Sequence, residues 1–291
     1  MSIQLVIDTC ADLNPHKDIQ NTVVLPIAVY IQDASGEDKE YIPFENLQPS
    51  EFYELQKNAK KLPHTSQVAV GYAYQTFKDI LEKGDQILGI FMGSGHSGTY
   101  NSCVLAKNQL VEELGSKVEE NIKLIDSENV TFPLAALCLL ARDLIDKGEM
   151  NLNQIYEYVS SKVSKIHMRA YIDDLTYLKM GGRITGVTAT LGNLLNFKIV
   201  IKTGNNLITP TDKLRGLPKT YQCIIDTMLK EGYDPDLPLY IGHTNAPERA
   251  ETLKNLLFEK TGKEPRAIIE IGATVGAHVG PGATGLCWFT K

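Results

Sequence analysis

The chain has 291 residues, of which 43% are hydrophobic and 22% charged, which is an ordinary balance for a globular protein with a substantial core. Its formal net charge of −6 argues against a nucleic acid partner, because phosphate binding requires clustered lysine and arginine. The longest strongly apolar run, 133–141, is shorter than the ~20 residues that a membrane-spanning helix needs. These features predict no integral membrane contact.

The five cysteines are dispersed along the chain and form no C-x-x-C pair, and the histidines also lack metal-ligand spacing. Dispersed cysteines are typical of reduced thiols in a cytoplasm. The first residues do not have the pattern of a signal peptide. We therefore expect a cytoplasmic protein that uses no metal and no cofactor.

In chain order, the first half alternates apolar strand-like segments with amphipathic helix-like ones. Strands are predicted at 3–8, 22–31, 86–92 and 121–126, and helices at 50–60, 72–84, 99–115, 130–148 and 151–165. Strands without polar alternation, separated by helices, predict an α/β domain with a parallel sheet covered on both faces. Ligands of such sheets bind beyond the carboxyl ends of the strands. Asp8, the loop 93–98 and Asp126 should therefore lie close together.

The pattern changes from about residue 166, where hairpin and strand–helix signals predict an α+β domain with a mixed sheet. Strands are predicted at 167–173, 237–244 and 266–272, a hairpin at 197–216 turning at 204–206, and helices at 221–232 and 247–262. The predicted domains are thus 1–165 and 166–291.

The segment "GSGHSGTYNS" at 93–102 is open to three interpretations. Its glycines spell G-x-G-x-x-G between a strand and a helix, which is typical of dinucleotide binding. That fingerprint also wants an acid roughly 20 residues later, and the strand-end acid Asp126 lies further along the chain. An NAD-dependent enzyme therefore remains only an alternative.

The second interpretation takes Ser97 as the nucleophile of a hydrolase, with His243 or His278 as the base and Asp173 or Asp174 orienting it. The strained turn of such enzymes has the pattern G-x-S-x-G. Here Thr99 occupies the position of its second glycine.

The third interpretation is an anion site made by the hydroxyls of Ser94, Ser97 and Thr99 at the amino terminus of a helix. Each hydroxyl alone could equally be a helix cap. A second polar cluster, "HTSQ" at 64–67, also precedes a helix, and His278 lies among glycines in "VGAHVGPG". Together these clusters favour a ligand.

Segments along nearly the whole chain resemble, in order, the motifs of one bacterial family. They are "DTCADL", "TSQ", "GSGHSGTYNS", "LTYLKMGGRIT", "KIVIKTGNNLITPTDKLRG", "GHTNAPERAE" and "IGATVGAHVGPGATG". The chain thereby resembles the DegV family, the fatty-acid-binding subunits of fatty acid kinase. This resemblance implies a two-domain α/β fold with one long-chain fatty acid buried between the domains. It further implies a separate ATP-binding kinase subunit that phosphorylates the carboxylate to an acyl-phosphate for phospholipid synthesis, so that this chain would have no complete active site.

The resemblance also implies roles for individual residues. Thr65, Ser97 and His278 match the residues that hold the fatty acid carboxylate. The positions that match the surroundings or the mouth of the pocket are Ser94, His96, Gly98, Arg183 and Arg215.

Some positions depart from the family pattern. His96 replaces an apolar residue beside the pocket, Ile199 stands where proline is common, and Cys10 replaces a threonine. As an additional hydrogen-bond donor, His96 would favour a more polar head group. The apolar segment 188–197 is predicted to be a helix that forms part of the tunnel wall.

Overall fold

The computed structural model describes residues 2–33, 35–184 and 197–291. Within them the strands are β1 Ile3–Asp8, β2 Thr22–Leu25, β3 Val29–Gln32, β4 Asp38–Tyr41, β5 His64–Thr65, β6 Gln86–Phe91, β7 Ile122–Asp126, β8 Ile166–Ile172, β9 Lys198–Gly204, β10 Leu207–Leu214, β11 Tyr240–His243, β12 Ala267–Glu270 and β13 Thr284–Phe289. The helices of the same residues are α1 Pro49–Asn58, α2 Val70–Glu82, α3 Thr99–Leu114, α4 Thr131–Lys147, α5 Leu152–Val163, α6 Thr176–Met180, α7 Leu217–Glu231, α8 Pro247–Thr261 and α9 Ala273–Val279. In this described part of the chain, no helix is both long enough and apolar enough to cross a bilayer.

The first half forms a four-stranded parallel sheet in the order β2-β1-β6-β7, which confirms the predicted α/β class. The loops at its carboxyl edge meet as predicted. Asp8 accepts a hydrogen bond from the backbone nitrogen of Met92 at 2.8 Å, and Asp126 accepts one from the backbone nitrogen of Ser94 at 3.1 Å. The loop 93–98 is thereby held between the ends of β1 and β7.

The second half forms a six-stranded mixed sheet in the order β10-β9-β8-β13-β11-β12. Only β11 and β12 pair in parallel within it, and the predicted hairpin is present as β9 and β10. The hairpin turns at 204–206, where Asn205 and Asn206 adopt positive φ angles of 51° and 58°. Asparagine tolerates this left-handed conformation well, which explains the strong turn signal in the sequence.

Helix α4 connects the two sheets. It contacts β1 and β6 of the parallel sheet and β8, β11 and β13 of the mixed sheet. Its apolar run at 133–141 is therefore buried on all sides. One hydrophobic core includes strands of both sheets, and the division into domains at 165 stays a prediction.

The secondary structure differs from the prediction in several elements. Segment 22–31 is two strands, because Pro26 lacks an N–H and interrupts the ladder, and β3 instead pairs with β4 and β5 in a small antiparallel sheet. The glycine-rich segment around His278 is the helix α9, and the tight turn follows it at 280–282. The closing strand β13, at the centre of the mixed sheet, was not predicted.

The turn after β1 anchors two parts of the chain that carry candidate site residues. Asp8 holds Met92, just before the loop with Ser97, and Asp12 Oδ1 accepts a hydrogen bond from the backbone nitrogen of Gly272 at 2.9 Å, just before α9. Both carboxyl groups are fully buried, and this burial raises the pKa of each from an ordinary value of 3.8 to about 7.

Replacing Asp12 by asparagine is expected to make the free energy of unfolding less dependent on pH. Between pH 3.8 and about 7 the folded chain retains protons that the unfolded chain has released, so stability falls as pH rises through this window. Each carboxyl contributes a slope of roughly 1.4 kcal/mol per pH unit within the window. Urea unfolding at several pH values between 4 and 8 measures the slope, and an unchanged slope in Asp12→Asn would contradict this assignment.

Candidate functional site

A cavity of about 210 Å³ lies between the mixed sheet and the loops at the carboxyl edge of the parallel sheet. One wall is lined by side chains from the same face of β8, those of Met168, Ala170 and Ile172, and Ile201 of the neighbouring strand β9 adjoins them. Phe132, at the start of α4, contributes to the lining. An empty apolar cavity of roughly 150 Å³ is known to bind benzene, so this slot has room for part of an alkyl chain.

Polar side chains also line the cavity, and two of them are paired. Thr65 Oγ1 in β5 lies 2.9 Å from Nε2 of His278 in α9, and this contact links the two elements. Burial, the nearby Arg183 and then His64 lower the pKa of His278 to about 4, so that its imidazole is neutral at pH 7. With its proton on Nε2, His278 donates to Thr65 and leaves the threonine hydroxyl free to donate into the cavity.

Ser97 lies at the amino terminus of α3, and its hydroxyl is supported in the same way. Its Oγ accepts a hydrogen bond from the backbone nitrogen of Thr99 at 3.2 Å and lies 3.0 Å from Thr99 Oγ1. Thr99 Oγ1 also accepts a hydrogen bond from the backbone nitrogen of Val68 at 3.3 Å. When Thr99 donates to Ser97, the serine proton is free for a ligand.

The other predicted site residues divide into two groups. His96, Gly98 and Arg183 line the cavity with Thr65, Ser97 and His278. The structure does not bring Ser94 or Arg215 into this lining. Ser94 is held through its backbone by Asp126, and the exposed Arg215 lies over the ring of Phe197 at 4.7 Å from its centroid.

The predicted wall helix 188–197 falls almost entirely outside the described residues. Ile199, one of the departures from the family pattern, is a buried residue of β9. Cys10 is also buried and donates a backbone hydrogen bond to Asp8 at 2.9 Å.

The glycines of the loop 93–98 lie against this chain's own residues. A Cβ atom on Gly93 or on Gly95 would lie 2.4 Å from Asn206 of the β9–β10 turn. Gly95 also donates a backbone hydrogen bond to the Asn206 side chain at 3.0 Å. Gly93 and Gly95, whose spacing is typical of a dinucleotide motif, therefore leave room for the hairpin to pack against this loop.

The hydrolase interpretation lacks the required hydrogen bond among the described residues. Ser97 Oγ bonds to Thr99, whereas His278 bonds to Thr65 and His243 accepts a hydrogen bond from the backbone nitrogen of Ala246. Asp173 is engaged by Lys198 and Arg249. A nucleophilic serine needs a base within hydrogen-bond reach, and Ser97 has none in this arrangement.

Gln67 is a site residue that the sequence analysis did not single out, although it belongs to the "TSQ" segment. It lines the cavity and donates to Ser102 Oγ of α3 at 3.0 Å. Gly98 makes room for it, because a Cβ atom there would lie 1.9 Å from Gln67 Oε1. The missing side chain at Gly98 thus allows the "TSQ" segment to approach α3.

Replacing Gly98 by alanine is therefore expected to displace the flexible, exposed side chain of Gln67 and to break its hydrogen bond to Ser102. We expect a loss of stability of roughly 0.5–1.5 kcal/mol, which is the usual worth of one hydrogen bond, together with weaker ligand binding. Gly71→Ala is the matched control, since a Cβ atom there meets nothing within 4 Å. Thermal unfolding of both variants tests this, and equal melting temperatures would show that the close contact is unimportant.

Comparison with known proteins places the chain in a family. A family model described as "Uncharacterised protein, DegV family" matches residues 2–291. Protein DegV of Bacillus subtilis is 26% identical, with 100% of each chain covered, and a DegV domain-containing protein of Listeria innocua is 31% identical, with 92% of this chain and 91% of the relative covered.

Two solved structures share the fold. A DegV family protein from Streptococcus agalactiae, described as fatty acid binding, has a TM-score of 0.82 and 26% identity, covering 100% of this chain and 99% of that one. DegV from Bacillus subtilis, described as a fatty acid binding protein, has a TM-score of 0.79 and 26% identity, covering 100% of both chains. As the sequence motifs indicated, the chain belongs to the DegV family.

Proposed function

We propose that this protein binds one long-chain fatty acid in the cavity beside its mixed sheet, with the carboxylate held by Thr65 and Ser97. The observation that carries the proposal is an apolar slot lined by two hydroxyls, each of which lies within hydrogen-bond distance of a group that can donate to it. The fatty acid binding described for the relatives from Streptococcus agalactiae and Bacillus subtilis supports the same ligand class.

The acyl chain provides most of the binding free energy in this scheme. Burying one methylene is worth about 0.8 kcal/mol, so a sixteen-carbon chain gains roughly 12 kcal/mol before the costs of ordering are subtracted. Each hydrogen bond to the carboxylate adds about 1.5–3 kcal/mol. The apolar wall therefore determines affinity, and Thr65 and Ser97 determine where the head group lies.

The three residues that are proposed to surround the carboxylate, Thr65, Ser97 and His278, are all neutral, which suits a carboxylate that must react later. Because His278 is neutral at pH 7, no cationic group among Thr65, Ser97 and His278 forms an ion pair with the ligand. Such an ion pair would stabilise the carboxylate and lower its nucleophilicity. Arg183 is exposed at the cavity, where it can meet a second protein or its phosphate.

The finer proposal is that a separate ATP-binding kinase subunit phosphorylates the bound carboxylate, giving acyl-phosphate for phospholipid synthesis. The family resemblance of the sequence supports it, and so does the exposed position of Arg183. In this scheme the chain is the lipid-binding subunit of a two-component kinase, needs no cofactor, and acts in the cytoplasm.

Titration of the delipidated protein with hexadecanoate tests the binding proposal. We expect one fatty acid per chain, no binding of NADH, and no labelling of Ser97 by a fluorophosphonate. Failure to bind any fatty acid from twelve to eighteen carbons, or labelling at Ser97, would contradict it. Adding the cognate kinase and ATP then tests the finer proposal, with acyl-phosphate trapped by hydroxylamine. Arg183→Ala should lower this product by a larger factor than it lowers hexadecanoate affinity.

A further inference from the structure

His96 has a buried polar atom that is left without a hydrogen-bond partner by the described part of the chain. The residue is 7% exposed and lines the cavity directly before Ser97 in the chain. Its Nε2 atom is buried and has no hydrogen-bond partner among the residues that the structure describes. An unpaired buried polar group costs about 1–3 kcal/mol, so a ligand that pairs with it gains a corresponding advantage.

The charged groups around His96 leave its ring neutral, and neither of them is hydrogen-bonded to its Nε2 atom. Burial lowers its pKa most, the carboxylate of Asp126 opposes this, and the positive charge of Arg183 adds to the lowering. Both oxygens of Asp126 already accept hydrogen bonds, Oδ1 from the backbone nitrogens of Ser94 and Glu128 and Oδ2 from the side chain of Asn206. Nε2 of His96 is therefore not bonded to this carboxylate, and the residue itself lines the cavity.

A neutral imidazole nitrogen either donates or accepts one hydrogen bond, depending on the tautomer. A hydroxyl group pairs with it in both cases, because it can donate and accept. A carboxylate accepts only, and in the proposed function its oxygens are already met by Thr65 and Ser97. A plain alkyl chain beside His96 would leave Nε2 unpaired.

We infer that His96 selects fatty acids that carry a hydroxyl group on carbon 2 or carbon 3. The inference rests on the proposed function, since it assumes that the carboxylate lies at Ser97 next to His96. It makes this residue a determinant of specificity within the cavity, in addition to the residues that hold the carboxylate.

Competition against a fluorescent fatty acid tests the inference with four ligands: hexadecanoate and its 2-hydroxy, 3-hydroxy and 16-hydroxy derivatives. The wild-type protein should bind the 2-hydroxy or the 3-hydroxy acid about five- to tenfold more tightly than hexadecanoate, which is the effect of one hydrogen bond. The 16-hydroxy acid controls for polarity at the far end and should bind no more tightly than hexadecanoate.

The variant His96→Leu should reverse this preference, because leucine restores an apolar wall. His96→Gln, which keeps a donor and an acceptor, should retain it and serves if the leucine variant does not fold. Equal affinities for hexadecanoate and both hydroxy acids in the wild type would overturn the inference. So would a uniform loss of affinity in His96→Leu, since His96 would then be a carboxylate ligand. Failure of every acid to bind would instead contradict the proposed function.

Discussion

Replacing Thr65 by valine and Ser97 by alanine together is expected to weaken hexadecanoate binding by roughly 100-fold or more. Each change removes a hydroxyl that donates to a charged group, and each such bond is worth about 1.5–3 kcal/mol. Valine keeps the shape of threonine in β5 and alanine keeps the backbone at the start of α3, so the loss should fall on the head group. Isothermal titration of the delipidated proteins measures the change.

Thr252→Val with Ser161→Ala is a matched control for this double variant. Both residues are exposed on helices, and their hydroxyls donate to backbone oxygens within their own helices, at Glu248 and Tyr158. The control removes the same two groups far from the cavity and should bind hexadecanoate like the wild type. If the site variant also bound normally, Thr65 and Ser97 would not hold the carboxylate.

Replacing Ala170 by leucine is expected to give the second large effect, because it places three extra carbon atoms in the cavity. These atoms exclude about three methylenes of the ligand, worth roughly 0.8 kcal/mol each, so hexadecanoate should bind about 50-fold more weakly. A shorter acid such as octanoate should lose less. The free energy of unfolding should be unchanged or raised, since the new side chain fills empty space.

Ala106→Leu is the control for Ala170→Leu. Ala106 is completely buried in α3 and is absent from the cavity lining. The same substitution there should lower stability by roughly 1–3 kcal/mol through overpacking and leave affinity unchanged. If instead Ala170→Leu destabilised the protein and kept its affinity, the slot beside β8 would not be the acyl-chain site.

Much of the fold could be predicted from local patterns. Apolar runs separated by amphipathic helices gave the parallel sheet, and Gly204 with two asparagines marked the hairpin turn. The prediction that Asp8, the loop 93–98 and Asp126 meet followed from the topology of parallel sheets alone. Such features depend on residues close together in the sequence.

The rest depended on contacts between distant segments. The glycine spacing at 93–98 was ambiguous because Gly93 and Gly95 make room for Asn206, which is more than a hundred positions away in the chain. Gly98 likewise makes room for the side chain of Gln67 beside α3. The helix around His278 was hidden by its glycines. Glycine is needed at position 276 of this helix because a Cβ atom there would lie only 2.7 Å from the side chain of Phe52 in α1.

The most direct test of the central claim is a crystal structure of the protein with hexadecanoate. The claim predicts the carboxylate oxygens about 3 Å from Thr65 Oγ1 and Ser97 Oγ, with the acyl chain running past Ala170 along the mixed sheet. A fatty acid bound elsewhere, or one whose carboxylate lies away from both hydroxyls, would contradict it.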